Sequence, residues 1–270
     1  MSVKSLLKSL LLIGLGILLG YGWFRFGGVI APAITQQHAT TTILDQNLPR
    51  LDTEFKGKIG RSYRQSSPYY PQPLTAAPNS PNILIILTDD VGFASSSTFG
   101  GPVPTPALDK LAAEGLLYNR FHTTAMCSPT RASMLTGRNA HMVGSGMISN
   151  LGTGYPGYSS AIPRSAATIG RILTGNGYNT AFFGKHHNVP DEHSSAAGPF
   201  HLWPTGLGFE YFYGFIGGDT DQFYPNLFRG IQAVEPRKES DNFILDKALA
   251  NDAIRWLRNQ AVAAPDKPWM

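Results

Sequence analysis

Apolar residues fall along this chain in blocks of two different periods. "NILIILTDD" (Asn82–Asp90) is apolar without alternation and ends on two carboxylates. A strand covered on both faces in a parallel sheet has that pattern. "LLYNRFHTT" (116–124), with His122 packed beside it, and "YNTAFFGKHH" (178–187) predict a second and a third strand. Between and after them the period lengthens. "TPALDKLAAEG" (105–115) predicts a helix with Thr105 as cap, Pro106 in the first turn, Gly115 as stop and a stripe of Leu108, Leu111 and Ala112. "SPTRASMLTG" (128–137) predicts another, capped by Ser128, opened by Pro129 and closed by Gly137. "SAATIGRILTGNG" (165–177) is a third. "LDKALANDAIRWLRNQAV" (245–262) is a fourth, amphipathic through Leu245, Leu249, Ala253, Trp256 and Leu257. The aromatic "FEYFYGF" (209–215), Trp203 and Trp256 read as core, and "APDKPWM" (264–270) opens like a further strand. Strands alternating with helices predict an α/β sheet.

The first 80 residues depart from this pattern. Lys4 and Lys8 precede the apolar "SLLLIGLGILLGYGWF" (9–24), and Ala31-Pro32-Ala33 offers small residues at cleavage spacing. Residues 1–34 therefore read as a signal peptide or an N-terminal membrane anchor. Either places the rest of the chain outside the cytoplasm, in the periplasm, secreted, or anchored facing outward. Residues 35–80, rich in Pro and Ser, read as an extended linker in which Tyr63, Tyr69 and Tyr70 point to partial packing. The folded domain is expected over 81–270.

Composition adds exclusions. The formal net charge of +4 is not gathered into a basic block, which argues against nucleic acid as a partner. Seven His with one Cys do not suit a structural zinc site. A lone cysteine outside the cytoplasm is a reactive thiol, an intermolecular bridge, or a modified residue.

In open α/β sheets, ligands sit beyond the carboxyl ends of the strands. Three clusters fall there. Asp89-Asp90 are adjacent carboxylates whose repulsion a hard divalent cation would relieve, although a turn also explains "TDDVG". Cys127 stands just before a helix N-terminus, where backbone N–H groups favour an anion, and Arg131 lies one turn on. The alternative for Cys127 is a buried small hydrophobe. Lys185 and His187 add a cation and an acid or base; a surface loop is the other reading. His141, in "GRNAH", is a lesser candidate for substrate binding. "GGDTDQFYPN" (217–226) reads as a plain turn or as the rim of a substrate mouth.

These residues resemble the type I sulfatases of the alkaline phosphatase superfamily. Cys127-Ser128-Pro129-Thr130-Arg131 matches their Cys-x-Pro-x-Arg signature, and "LTGR" continues it. "PNILIILTDDVG" resembles their first core strand and "GKHHN" their Gly-Lys-x-His element. "GYPGY" and "GFEYFYGF" are similar to segments of bacterial arylsulfatases. The resemblance covers residues 81 to 270. It implies an alkaline-phosphatase-like α/β fold, a mixed or parallel sheet sandwiched by helices. It implies that a formylglycine-generating enzyme oxidises Cys127 to formylglycine, whose hydrate is the nucleophile. Asp89, Asp90 and the modified Cys127 would bind Ca²⁺ in preference to Mg²⁺. Arg131 would hold the hydrate, Lys185 would bind the sulfate, and His187 would take the proton that lets the sulfated intermediate collapse. The expected substrate is a small sulfate monoester.

The family also carries an Asp-Asn metal pair, a Lys and a His farther along its chains, beyond "KPWM". The sequence therefore reads as a truncated product or fragment, inactive or nearly so by itself. A phosphonate or phosphate monoester hydrolase, and a non-catalytic remnant that binds sulfated ligands, are the competing readings.

Overall fold

The computed structural model describes residues 55–70, 72–234 and 242–270. The expected leader, residues 1–34, lies outside them. No helix among the described residues is long and apolar enough to cross a membrane. The chain divides into two units, one to Pro71 and one from Gln72.

In the first unit, Lys58 and Ser67 form an antiparallel bridge around the turn Tyr63–Gln65. Phe55 meets Tyr69 edge-on at 6.4 Å, so the expected packing exists for Tyr69. Tyr63 and Tyr70 face solvent.

The second unit is built on a mixed four-stranded sheet of order β1-β2-β3-β4. β1 (Ala181–Lys185) and β2 (Tyr211–Phe215) are parallel, in register from Ala181↔Tyr211 to Lys185↔Phe215. The short β3 (Phe228–Arg229) and β4 (Gln232–Ala233) add antiparallel. Alternation along β1 and β2 serves both faces of the sheet. Phe182 and Phe212 turn to a core of Val189, Leu202, Trp203, Ile216 and Phe228. Tyr213 and Phe215 turn to the opposite core with Leu227, Phe243 and Leu245, and Phe183 packs there too. The expected third strand is thus β1, and the aromatic run is core as read, shaped as a strand.

Among the described residues, four α-helices flank or precede the sheet: α1 (Pro106–Glu114), α2 (Cys127–Thr136), α3 (Ile169–Thr174) and α4 (Leu245–Ala263). Ala132 and Leu135 of α2 pack with Val143, Ile162, Ala166, Leu207 and Phe209. Gly137 closes α2 in the left-handed region at φ 65°. α4 is tied to the sheet by the buried Asp252, which accepts from Tyr211 Oη and Arg229 Nη1.

Four local expectations are corrected. The run Asn82–Asp90 joins no strand ladder, and Leu84 and Ile86 are each 68% exposed. Only its start is paired, through Ile83 N–H donating to Trp269 O at 2.9 Å. Residues 116–124 are likewise unpaired and exposed, His122 included. α1 forms where Pro106 and Gly115 predict, but Leu108 and Leu111 of its stripe face solvent. Ser128 is not a cap: α2 starts at Cys127, and the Ser128 hydroxyl is committed elsewhere. In each case the local pattern is right for an element whose apolar face has no partner among the described residues, or a tertiary partner outcompetes the local one.

Candidate active site

The loop leaving β1 is clamped onto the first turn of α2. Ser128 Oγ donates to His187 O at 2.7 Å and accepts from Ser149 N–H at 3.1 Å. Asn188 Nδ2 donates to Ser128 O at 2.9 Å. Ser128, His187 and Asn188 are all buried. His187 is held at φ 52°, a left-handed conformation that is unfavourable for a residue with a Cβ and is found where surrounding structure imposes it. The outcome is a contact between two residues 60 apart in sequence: Cys127 Sγ lies 3.1 Å from His187 Nδ1.

The charged groups converge at the same strand end. Arg131, buried on α2, donates through Nη1 to Lys185 O at 2.6 Å and through Nη2 to Asp89 Oδ1 at 3.2 Å. Lys185 Nζ donates to Asp89 Oδ2 at 2.7 Å. The Lys185 side chain is 9% exposed, that of Asp89 40%. Burial alone would raise the Asp89 carboxyl, but hydrogen bonds from Lys185 and Arg131, and then their charges, hold it below the usual carboxylate range. His187 is pushed down to about 4, first by burial and then by the positive charges of Lys185 and Arg131; Asp89 and Asp219 oppose this. Its imidazole is therefore neutral at pH 7 and can accept a proton. His186 faces away: it is fully buried, its Nε2 lies 2.8 Å from Leu202 O, and burial lowers it to about 4.

The structure thus brings Cys127, Arg131, Lys185, His187 and Asp89 together. Asp90 is exposed in a left-handed turn at φ 53°. His141 sits apart from these contacts, its Nδ1 3.1 Å from Asn139 Oδ1 and its ring against Tyr158. Asp221 makes a turn of its own, accepting from the Phe223 and Tyr224 N–H groups, which favours the plain-turn reading there. Two residues of the same loop, whose other reading is the rim of a substrate mouth, do adjoin the site. Asp219 acts on the charge of His187. Gly218 leaves room for its ring, since a Cβ there would stand 2.8 Å from His187 Nε2. Both follow β2, so reading "FEYFYGF" as a parallel strand would have placed them at a strand's carboxyl end.

The sequence model of the Sulfatase family matches residues 81–270, and the chain belongs to that family. It is 33% identical over 198 residues to an uncharacterised sulfatase of Schizosaccharomyces pombe, covering 68% of this chain and 36% of that protein. It is 28% identical over 203 residues to an arylsulfatase of Klebsiella aerogenes, covering 70% and 42%. Among solved structures, Ps i-CgsB superposes with a TM-score of 0.52 at 26% identity, covering 70% of this chain and 43% of that one. The chain spans about two fifths of the length of these relatives. The observed mixed sheet with helices is the α/β architecture of sulfatase structures.

Proposed function

We propose that the protein is a sulfate monoester hydrolase of the arylsulfatase type, matured by oxidation of Cys127 to formylglycine and dependent on Ca²⁺. One observation carries this reading: at a single strand end, a helix-starting Cys127 meets a neutral imidazole, and a buried guanidinium and a buried ammonium converge on the Asp89 carboxylate at that same strand end. Cys127 Sγ marks the place that the formylglycine oxygens would take. Formylglycine, once formed, supplies a geminal diol as nucleophile and a route for the sulfated adduct to release sulfate. His187 Nδ1, at hydrogen-bond distance, accepts a proton from that group. Lys185 Nζ donates to a sulfate oxygen and offsets its charge. Arg131 fixes the end of β1 that carries Lys185 while adding a cation to the site.

Asp89 and Asp90, with an oxygen of residue 127, are hard donors that suit Ca²⁺ or Mg²⁺. They fit the ion in kind. In number they fall short of the roughly six to eight oxygens Ca²⁺ takes, and no group of three His, Cys, Asp or Glu converges among the described residues. Both Asp89 oxygens already accept from cations, so metal binding would have to share or displace Lys185 and Arg131. By itself the 270-residue chain is accordingly expected to turn over little sulfate ester. The basic and apolar pattern of residues 4–24 supports export or anchoring outside the cytoplasm, where a formylglycine-generating enzyme would be a partner during maturation.

The test is hydrolysis of 4-nitrophenyl sulfate and 4-nitrophenyl phosphate, with Ca²⁺, by chain co-expressed with a formylglycine-generating enzyme. Little turnover is expected, with what there is directed at sulfate and lost in Cys127→Ala. Cys127-dependent turnover favouring phosphate would overturn the substrate reading. Sulfate turnover at the rate of whole sulfatases would overturn the inactivity.

A further inference from the structure

Between β1 and β2 the chain makes a loop, residues 186–203, that is closed on itself. His186 Nε2 lies 2.8 Å from Leu202 O, and Trp203 Nε1 donates to His193 O at 2.8 Å. Val189, Leu202 and Trp203 seat the loop in the core on one face of the sheet, and Phe200 meets Trp203 edge-on at 5.0 Å. Two single-turn segments of this loop, Asp191–His193 and Phe200–Leu202, each carry one histidine. The closure brings these imidazoles together: the rings of His193 and His201 stand 5.7 Å apart, centre to centre, with planes inclined at 61°.

The pair is unsatisfied. His193 Nδ1 is buried and has no hydrogen-bond partner, an uncommon state for a buried polar atom and one that calls for a ligand. An edge-on ring contact leaves that nitrogen unpaired; a shared metal ion does not. The spacing suits such an ion. With metal–nitrogen bonds of about 2.0–2.1 Å, two imidazoles on one tetrahedral ion place their ring centres roughly 5–6 Å apart. Imidazole nitrogen suits Zn²⁺, Ni²⁺ and Cu²⁺, whereas Ca²⁺ takes oxygen ligands. Asp191 and Glu192, exposed in the turn that carries His193, add negative charge that favours a cation there.

We propose that His193 and His201 form a two-histidine site for a divalent ion of the Zn²⁺, Ni²⁺ and Cu²⁺ class, separate from the Ca²⁺ site read at Asp89 and Asp90. No group of three His, Cys, Asp or Glu converges among the described residues, so water completes the shell. The ion ties one turn of the loop to the other. It thereby braces the segment that begins with His187 and Asn188, the residues clamped to Ser128. The proposal stands independently of the reaction assigned to Cys127.

The experiment is titration of the 270-residue chain with Zn²⁺, followed by calorimetry and by the imidazole signals in NMR. It is done on Cys127→Ala, which removes the competing thiol 3.1 Å from His187 Nδ1. Saturable binding is expected, moving the ring signals of His193 and His201 together and persisting in excess Ca²⁺. His193→Gln and His201→Ala should each weaken it about tenfold or more, and His141→Ala should leave it unchanged. No saturable binding, displacement by Ca²⁺, binding that survives either substitution, or an equal loss in His141→Ala overturns the proposal. If His193→Gln loses its native circular dichroism, the ring signals of the chain with both histidines decide. Joint movement of His193 and His201 supports the site, and movement of one alone or of neither overturns it.

Discussion

β1–β2 and the run Asn82–Leu87 are written in the same language of consecutive apolar residues, yet they have opposite fates. Phe212 is fully buried, while Leu84 and Ile86 are two-thirds exposed. Their own composition does not explain this. β2 is flanked by β1 on one side and β3 on the other, and cores form on both of its faces. Among the described residues, Asn82–Leu87 is hydrogen-bonded to a neighbour only at its start, through Asn82 and Ile83 to Trp269. Hydrophobic stabilisation follows the area removed from water, so an apolar run contributes only where another element covers it. The catalytic candidates lie across this divide: Cys127, Arg131, Lys185 and His187 sit on the packed side, and Asp89 alone reaches over from the exposed run.

This contrast can be broken by measurement. Trp203→Ala, in the packed core, should cost about 3–5 kcal/mol in urea unfolding, whereas Leu84→Ala should cost less than about 0.5 kcal/mol. Equal costs would mean that the two regions do not differ as described. Acid should attack the packed side next. His186 has a native value of about 4 against an ordinary 6.5, so the unfolded chain binds more protons between those values and stability rises with pH there. Its contribution is complete above about pH 6.5 and falls by roughly 3 kcal/mol as pH drops to about 4; His187 adds in the same direction. Unfolding curves of His186→Phe across that range should show a flatter pH slope, and an unchanged slope would count against the assignment. Ser128→Ala is the finer probe. It removes the hydroxyl between His187 O and Ser149 N–H, leaving two buried groups unpaired at about 1–3 kcal/mol. A neutral effect would show that the clamp is not what holds the loop.

Much of the site was legible because its chemistry is local. Cys127 and Arg131 share one helical turn, and Lys185 ends one strand with His187 just after it, so spacing puts each pair at a strand end, and the family resemblance singles out His187 over His186. What spacing could not show is pairing at long range. Ser128-Pro129 has the form of a cap and first turn, but the Ser128 hydroxyl bonds to His187 O, 59 residues away. The strands predicted at 82–90 and 116–124 failed for a related reason: periodicity reports what a segment could bury, and burial depends on what lies beside it. The loop 217–226 reads from the sequence as a turn or a mouth rim, but the approach of Gly218 and Asp219 to His187 is not legible while the preceding β2 is taken only as aromatic core.

The proposed chemistry turns on the identity of residue 127. Mass spectrometry of the tryptic peptide Phe121–Arg131, from chain produced in a host with a formylglycine-generating enzyme, tests it directly. The expected peptide has lost the sulfur of Cys127 and carries in its place an aldehyde, trapped by a hydrazide. An intact thiol at residue 127 in that host would contradict it.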